Sequence, residues 1–217
     1  MENVMTSKLM YYISSSSPLV NNLFPSPVWK HQTDKIDNRE LEKVIIEKEK
    51  KNPVAIRKEN NVGGYQSSDI DLKEDKEFKC IYDYIRECME VILFSTNYKS
   101  NLSIVFHRVW VNVNPKGDSN EKHIHCGHYK SDCHWSGIYY IKTHANCGDI
   151  RFHNPIPASL LVDHSSFLKD SSNLDSISLN PSEGTLLIFP SWVMHSVDKN
   201  KSEYDRISIS FDIELGK

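Results

Sequence analysis

From Ser103 onward the apolar residues recur with a period of two, in short runs separated by Gly, Pro, Asn, Asp and Ser, and this alternation narrows the accessible folds most. "SIVFHRVWVNVN", "KHIH", "SGIYYIK", "DIRFH", "SISLNP", "TLLIFP", "MHSVDKN" and "RISISFDI" read as eight strands. Successive side chains of a strand point to opposite faces, and β-branched and aromatic residues suit that half-buried pleat. So many short strands with turn residues between them predict a mainly β architecture, a jelly roll or small barrel.

Upstream the period is 3.6. "DNRELEKVIIEKEKK" carries Leu41, Val44 and Ile45 on one face, with Asp37 and Glu40 spaced as a capping box. "DKEFKCIYDYIRECMEVILF" places Phe78, Ile81, Tyr82, Ile85, Met89 and Ile92 at helical spacing. Residues 1–20 are polar and Ser-rich and read as a flexible N-terminal segment, followed by an extended entry in "FPSPVW". Residues 21–217 then form one domain, with helical support over about 37–95 and the barrel over about 102–214. The stretch from Pro155 to Ser182 is long and weakly patterned, as a lid or a flexible insertion would be.

Charge and cysteine content exclude several classes. The 26 Lys+Arg are scattered against 29 Asp+Glu, so no phosphate-backbone footprint is expected and nucleic acid is not the partner. No apolar run is long enough for a membrane span, and no export signal is evident, which predicts a soluble cytoplasmic protein. The five cysteines include no C-x-x-C pair and suit free thiols in a reducing compartment. The oligomeric state stays open, a homodimer included.

The residues that point to chemistry are histidines. His123 and His125, in "KHIH", share a strand face, and His195 follows a second apolar strand in "FPSWVMHSV". Three ligands on one side of an iron leave open positions for a bidentate cosubstrate and dioxygen. His125 either ligates or stands beside an iron held by two histidines, and its spacing favours ligation. His128 and His134 fall in a loop and are expected not to ligate; His107 shares parity with Val109 and Val111, which predicts a packed core residue. A zinc held by Cys126 and Cys133 is the lesser alternative, because Cys126 follows His125 directly and Cys133 lacks a ligand-spaced partner.

Two patterns on one architecture, the double-stranded β-helix, resemble this chain. Gly117 six positions before His123, with Gly184, Pro190 and His195 later, resembles the cupins, although no Glu follows His125 and Trp192 stands where a glycine belongs. The stronger resemblance is to the H-x-H, prolyl-hydroxylase-like family of 2-oxoglutarate/iron(II)-dependent oxygenases. It rests on "WVNVN", "KHIH", "SGIYY", "GDIRF", "EGTLLIFPSW", His195 and "DRISISF", in that order, over roughly residues 105–213. It implies N-terminal helices packed outside the barrel, iron(II) on His123, His125 and His195, and 2-oxoglutarate on Arg206, Ser208 and Tyr140. Asn112 on the adjoining strand is a further candidate, and no catalytic group beyond the metal ligands is expected. The implied reaction consumes 2-oxoglutarate and dioxygen to hydroxylate a C–H bond of an amino-acid, peptidyl or other small substrate. His125 stands where the wider superfamily has a carboxylate, so the bound iron would keep one more positive charge. A cupin-like metal enzyme, or a ligand-binding jelly roll without 2-oxoglutarate, is the alternative.

Overall fold

The computed structural model describes residues 26–53, 60–126, 133–156 and 175–217. The segment 1–20, His128, His164 and residues 157–174 of the expected lid lie outside them. Strand β1 (Trp29–Gln32) leads into α1 (Asn38–Lys51), then β2 (Asn61–Val62) and β3 (Tyr65–Gln66), a short 3-10 turn (Lys76–Phe78) and α2 (Lys79–Ser95). The eight expected strands follow as β4 (Ser103–Asn114), β5 (Ser119–His123), β6 (Trp135–Lys142), β7 (Ile150–His153), β8 (Ser176–Leu179), β9 (Thr185–Pro190), β10 (His195–Val197) and β11 (Arg206–Gly216).

They form two antiparallel sheets, one six-stranded in the order β1-β9-β6-β11-β4-β3 and one five-stranded in the order β2-β5-β10-β7-β8. This is the expected mainly β jelly roll. No helix among the described residues is long and apolar enough to cross a membrane.

Strand β11, paired on both sides by β4 and β6, decides how the layers meet. Ile207, Ile209, Phe211 and Ile213 face outward and are fully buried against Leu41, Ile45, Ile81, Ile85 and Met89 of the two helices. The alternate residues Arg206, Ser208, Ser210 and Asp212 line the cavity between the sheets. A smaller core of Ile138, Tyr140, Phe152, Phe189 and Val197 closes the interior beside that cavity. The Tyr139 hydroxyl donates to Asn38 Oδ1 at 2.9 Å, tying α1 to the six-stranded sheet.

Two sequence expectations are corrected. Asp37 does cap α1, its Oδ1 accepting from the N–H groups of Arg39 and Glu40, but Glu40 is drawn to Lys43 rather than back to the cap, so the box is half made. His107 is exposed and not in the core. The ladder between β4 and β11 passes from Arg108 opposite Asp212 to Phe106 opposite Ile213, leaving His107 as the extra residue of a bulge. The bulge reverses parity, so Phe106 instead of His107 packs on the helical core, its ring 6.1 Å from that of Phe211.

Phe211→Ala is expected to cost about 3–5 kcal/mol, because a fully buried ring is removed from between sheet and helices and the site cannot collapse completely. Equilibrium denaturation of the metal-free chain measures it.

Candidate active site

The three expected histidines converge although the strand that should align two of them ends two residues earlier than expected. His123 ends β5 and pairs directly with His195, the first residue of β10. His125 lies beyond the strand, where its backbone N–H donates to the Ser191 carbonyl at 2.9 Å and returns the chain to the same side. The ring of His195 is 4.3 Å from that of His123 and 5.1 Å from that of His125. One ring nitrogen from each histidine falls within 4.8 Å of the other two, a spacing at which one metal ion can be held.

Hydrogen bonds fix which nitrogens face inward. His123 Nδ1 lies 2.7 Å from the Glu121 carbonyl and His195 Nδ1 lies 3.0 Å from the Val193 carbonyl. His125 Nδ1 lies 2.9 Å from the carboxylate of Asp212. A carbonyl only accepts, so the first two rings carry their proton on Nδ1 and present a bare Nε2; a carboxylate acceptor selects the same tautomer at His125. Ordered this way, the three imidazoles fit a divalent metal without rearrangement.

Burial keeps the His123 and His195 rings neutral. It pulls His123 down to about 4, the neighbouring His125 adding to the shift and the bond to Glu121 opposing it. It holds His195 well below the ordinary range, with His123 and His125 contributing. Both pKa values are depressed in the folded chain, so between an unfolded value near 6.5 and about 4 the unfolded state binds more protons. The metal-free protein should therefore keep full stability above about pH 6.5 and lose it as the pH falls toward about 4, which thermal unfolding across that range measures. Iron occupancy should hold through the pH at which an ordinary imidazole titrates and fall only below it.

The same cavity, about 580 Å³ in volume, also holds Arg206, Ser208, Asn112 and Asn114. Arg206 is almost wholly buried; its Nη1 donates to the carbonyl of Cys147 at 2.7 Å and its Nη2 to Asn114 Oδ1 at 3.2 Å. Gly148 permits this approach. It sits at φ +92, and a Cβ there would lie 2.2 Å from the Asp198 carbonyl and 2.9 Å from Arg206 Nη1. Tyr140 stands opposite Ser208 in the ladder, its hydroxyl buried without a hydrogen-bond partner and electrostatically coupled to Arg206. Burial pushes that hydroxyl above its ordinary range, so it stays a neutral donor. A buried guanidinium beside an orphan hydroxyl fits a ligand carboxylate, the group 2-oxoglutarate would bring.

The remaining expectations sort plainly. Asn112 lines the cavity, but its Oδ1 accepts from Gln66 at 3.0 Å and its Nδ2 donates to Ser210 at 2.9 Å, so its amide is engaged at both ends. His134 is exposed and its Nδ1 accepts from the Leu215 N–H at 3.2 Å, away from the cluster. Cys133 is buried against the Trp135 carbonyl, and burial pushes its thiol up to about 12, which is unlike a zinc thiolate. Among the described residues the three histidines form the metal-competent group, without either cysteine. Three contributors escaped the sequence: Asn114, which orients Arg206; Trp110, stacked on His125 at 5.9 Å; and Asp212. Asp212 shares the strand parity of Arg206, Ser208 and Ser210, and that parity was the available signal.

Residues 108–212 match the family model described as "Putative 2OG-Fe(II) oxygenase", a span that contains all three histidines, Tyr140 and Arg206. This stretch belongs to the 2OG-Fe(II) oxygenases. That family is one of enzymes that use Fe(II), 2-oxoglutarate and dioxygen. Solved structures agree in fold. A prolyl-4-hydroxylase from Pseudomonas putida is 13% identical with a TM-score of 0.58, over 97% of this chain and 99% of that one. The viral collagen prolyl hydroxylase of Paramecium Bursaria Chlorella virus-1, solved with 2OG, is 16% identical with a TM-score of 0.54, over 88% of this chain and 96% of that one. The alpha ketoglutarate dependent carbocyclase SnoK of nogalamycin biosynthesis is 9% identical with a TM-score of 0.61, over 87% of this chain and 79% of that one. No curated protein matches the sequence at a significant level.

Proposed function

We propose that this 2OG-Fe(II) oxygenase hydroxylates a C–H bond of an amino-acid or peptidyl substrate, holding Fe(II) on His123, His125 and His195 and the far carboxylate of 2-oxoglutarate on Arg206, Tyr140 and Ser208. The observation that carries this is the cavity with three tautomer-fixed imidazoles on one wall and a buried guanidinium on the other, the unpartnered Tyr140 hydroxyl lying in the core that adjoins it. Fe(II) with 2-oxoglutarate would activate dioxygen, one oxygen atom entering the C–H bond and the other the oxoacid, which leaves as succinate and carbon dioxide.

The chain's own groups have distinct tasks. Arg206 supplies charge at the distal carboxylate, Tyr140 and Ser208 donate beside it, and Asn114 holds the guanidinium in place. Ile138, Ile150 and Phe189 wall the cavity and limit water around the histidines. Asn60, Asn61, Gln66 and Asn120 also line the cavity, and uncharged amides of this kind suit the hydrogen-bonding groups of a peptide better than a phosphate or a polyanion. Residues 21–217 would act as one cytoplasmic domain without nucleic acid.

Anaerobic addition of Fe(II) and 2-oxoglutarate tests the assignment. A weak visible charge-transfer band that needs both is expected, followed on admission of oxygen by succinate formation and, with the right peptide, a gain of one oxygen atom. Iron binding with no such band would identify a cupin-like metal enzyme instead.

A further inference from the structure

The three histidines are not held alike. His123 and His195 each direct Nδ1 at the carbonyl two residues upstream, an acceptor that the local chain provides. His125 directs Nδ1 at Asp212, a carboxylate from the far end of the sequence whose side chain is 3% exposed. A carbonyl would have set the tautomer equally well, so the carboxylate adds something that geometry does not require. What it adds is charge, at the one ligand that stands where the wider superfamily has a carboxylate.

Its surroundings point the same way. Buried carboxylates require a cation or several donors. Among the described residues, Asp212 Oδ1 accepts from the Ser136 hydroxyl at 2.8 Å and from His125, and no Lys or Arg forms an ion pair with it. The one cation opposite it in the ladder, Arg108, lies over the Trp110 ring and 3.9 Å from Asp69 instead. Asp212 lines the same cavity as the three rings, so the missing positive charge fits a metal bound one imidazole away.

We infer that Asp212 is a positioning residue that returns, through His125, the negative charge the metal site lost when the ligand carboxylate became a histidine. The imidazole and carboxylate act together as one anionic ligand, giving Fe(II) the net charge of the ordinary two-histidine, one-carboxylate centre. This rests on the three-histidine assignment proposed above.

The two are separated by measuring Fe(II) affinity, and the midpoint potential of the bound iron, in four chains. Asp212→Asn keeps Oδ1 as acceptor for both His125 and Ser136 and removes only the charge. It is expected to weaken Fe(II) binding roughly 10- to 100-fold and to raise the midpoint potential, with the unfolding midpoint of the metal-free chain near that of the parent. In the His125→Asp background the same change should act in the opposite direction. There the introduced carboxylate would stand next to that of Asp212, and Asp212→Asn relieves their repulsion, so the double variant should bind Fe(II) more tightly than His125→Asp alone and close to the parent.

A parent that binds no Fe(II) overturns the three-histidine assignment and this inference with it. A parent that binds, with Asp212→Asn unchanged in affinity and potential, overturns the inference alone. Unfolding of Asp212→Asn in both backgrounds, or equal losses in both, would make Asp212 a structural carboxylate and also overturn it.

Discussion

His195→Ala is expected to leave a folded protein that no longer holds Fe(II), its affinity falling by more than roughly 100-fold, beyond the upper range for changes one shell removed from a metal. His195 pairs with His123 across the two strands and is 5% exposed, so its ring is the most deeply buried of the three and the least replaceable by water. Losing it leaves two imidazoles and an apolar space beside Phe189, whose ring lies 4.8 Å away. The substitution also removes an imidazole that must stay neutral in the fold, so the metal-free variant should be less sensitive to acid than the parent. That pairing of effects separates loss of a ligand from general damage. His123→Ala should behave in the same way, whereas His134→Ala, on an exposed ring bonded to the Leu215 backbone, should bind iron like the parent. His125→Ala divides the cluster further: iron and 2-oxoglutarate binding at parental strength would leave a two-histidine centre.

How much of this was legible in the sequence depends on how far each feature is local. The strands were legible because alternation is a property of neighbouring residues, and β11 shows it most cleanly, with Ile207, Ile209, Phe211 and Ile213 on one face and polar groups on the other. The histidines were legible because two of them sit at strand spacing. The reason offered for His125 was nevertheless incomplete, since β5 ends at His123 and the ring is placed by a backbone bond to Ser191.

The parity error at His107 came from a bulge that only the pairing of β4 with β11 creates, and nothing in "VFHRV" announces it. The short strands β2 and β3 are set by partners elsewhere in the sheets and carry no pattern of their own. Asp212 escaped for a different reason. A carboxylate partner for the metal site is sought beside His123 in the sequence, whereas this one arrives from β11, where its parity already placed it with Ser210.

Arg206→Ala is expected to abolish 2-oxoglutarate binding while leaving Fe(II) affinity intact, because the guanidinium lies on the cavity wall away from the imidazoles. Losing a charge-assisted contact in a desolvated pocket costs about 2 to 5 kcal/mol, which is roughly 30- to 5,000-fold in affinity. The arginine also donates to the carbonyls of Cys147 and Gly148 and to Asn114, so alanine strands three acceptors and should lower stability as well. Tyr140→Phe removes that ambiguity. The Tyr140 hydroxyl has no partner in the protein, so deleting it orphans nothing and should leave the unfolding midpoint at or slightly above that of the parent. If that hydroxyl donates to the distal carboxylate, its loss should weaken 2-oxoglutarate about 10- to 100-fold, the range for a hydrogen bond to a charged group. The readout is the concentration of 2-oxoglutarate that half-develops the charge-transfer band at saturating Fe(II) under anaerobic conditions. Parental affinity in both variants would mean that the carboxylate is held elsewhere, and that the arginine serves the loop at Gly148 instead of a cosubstrate.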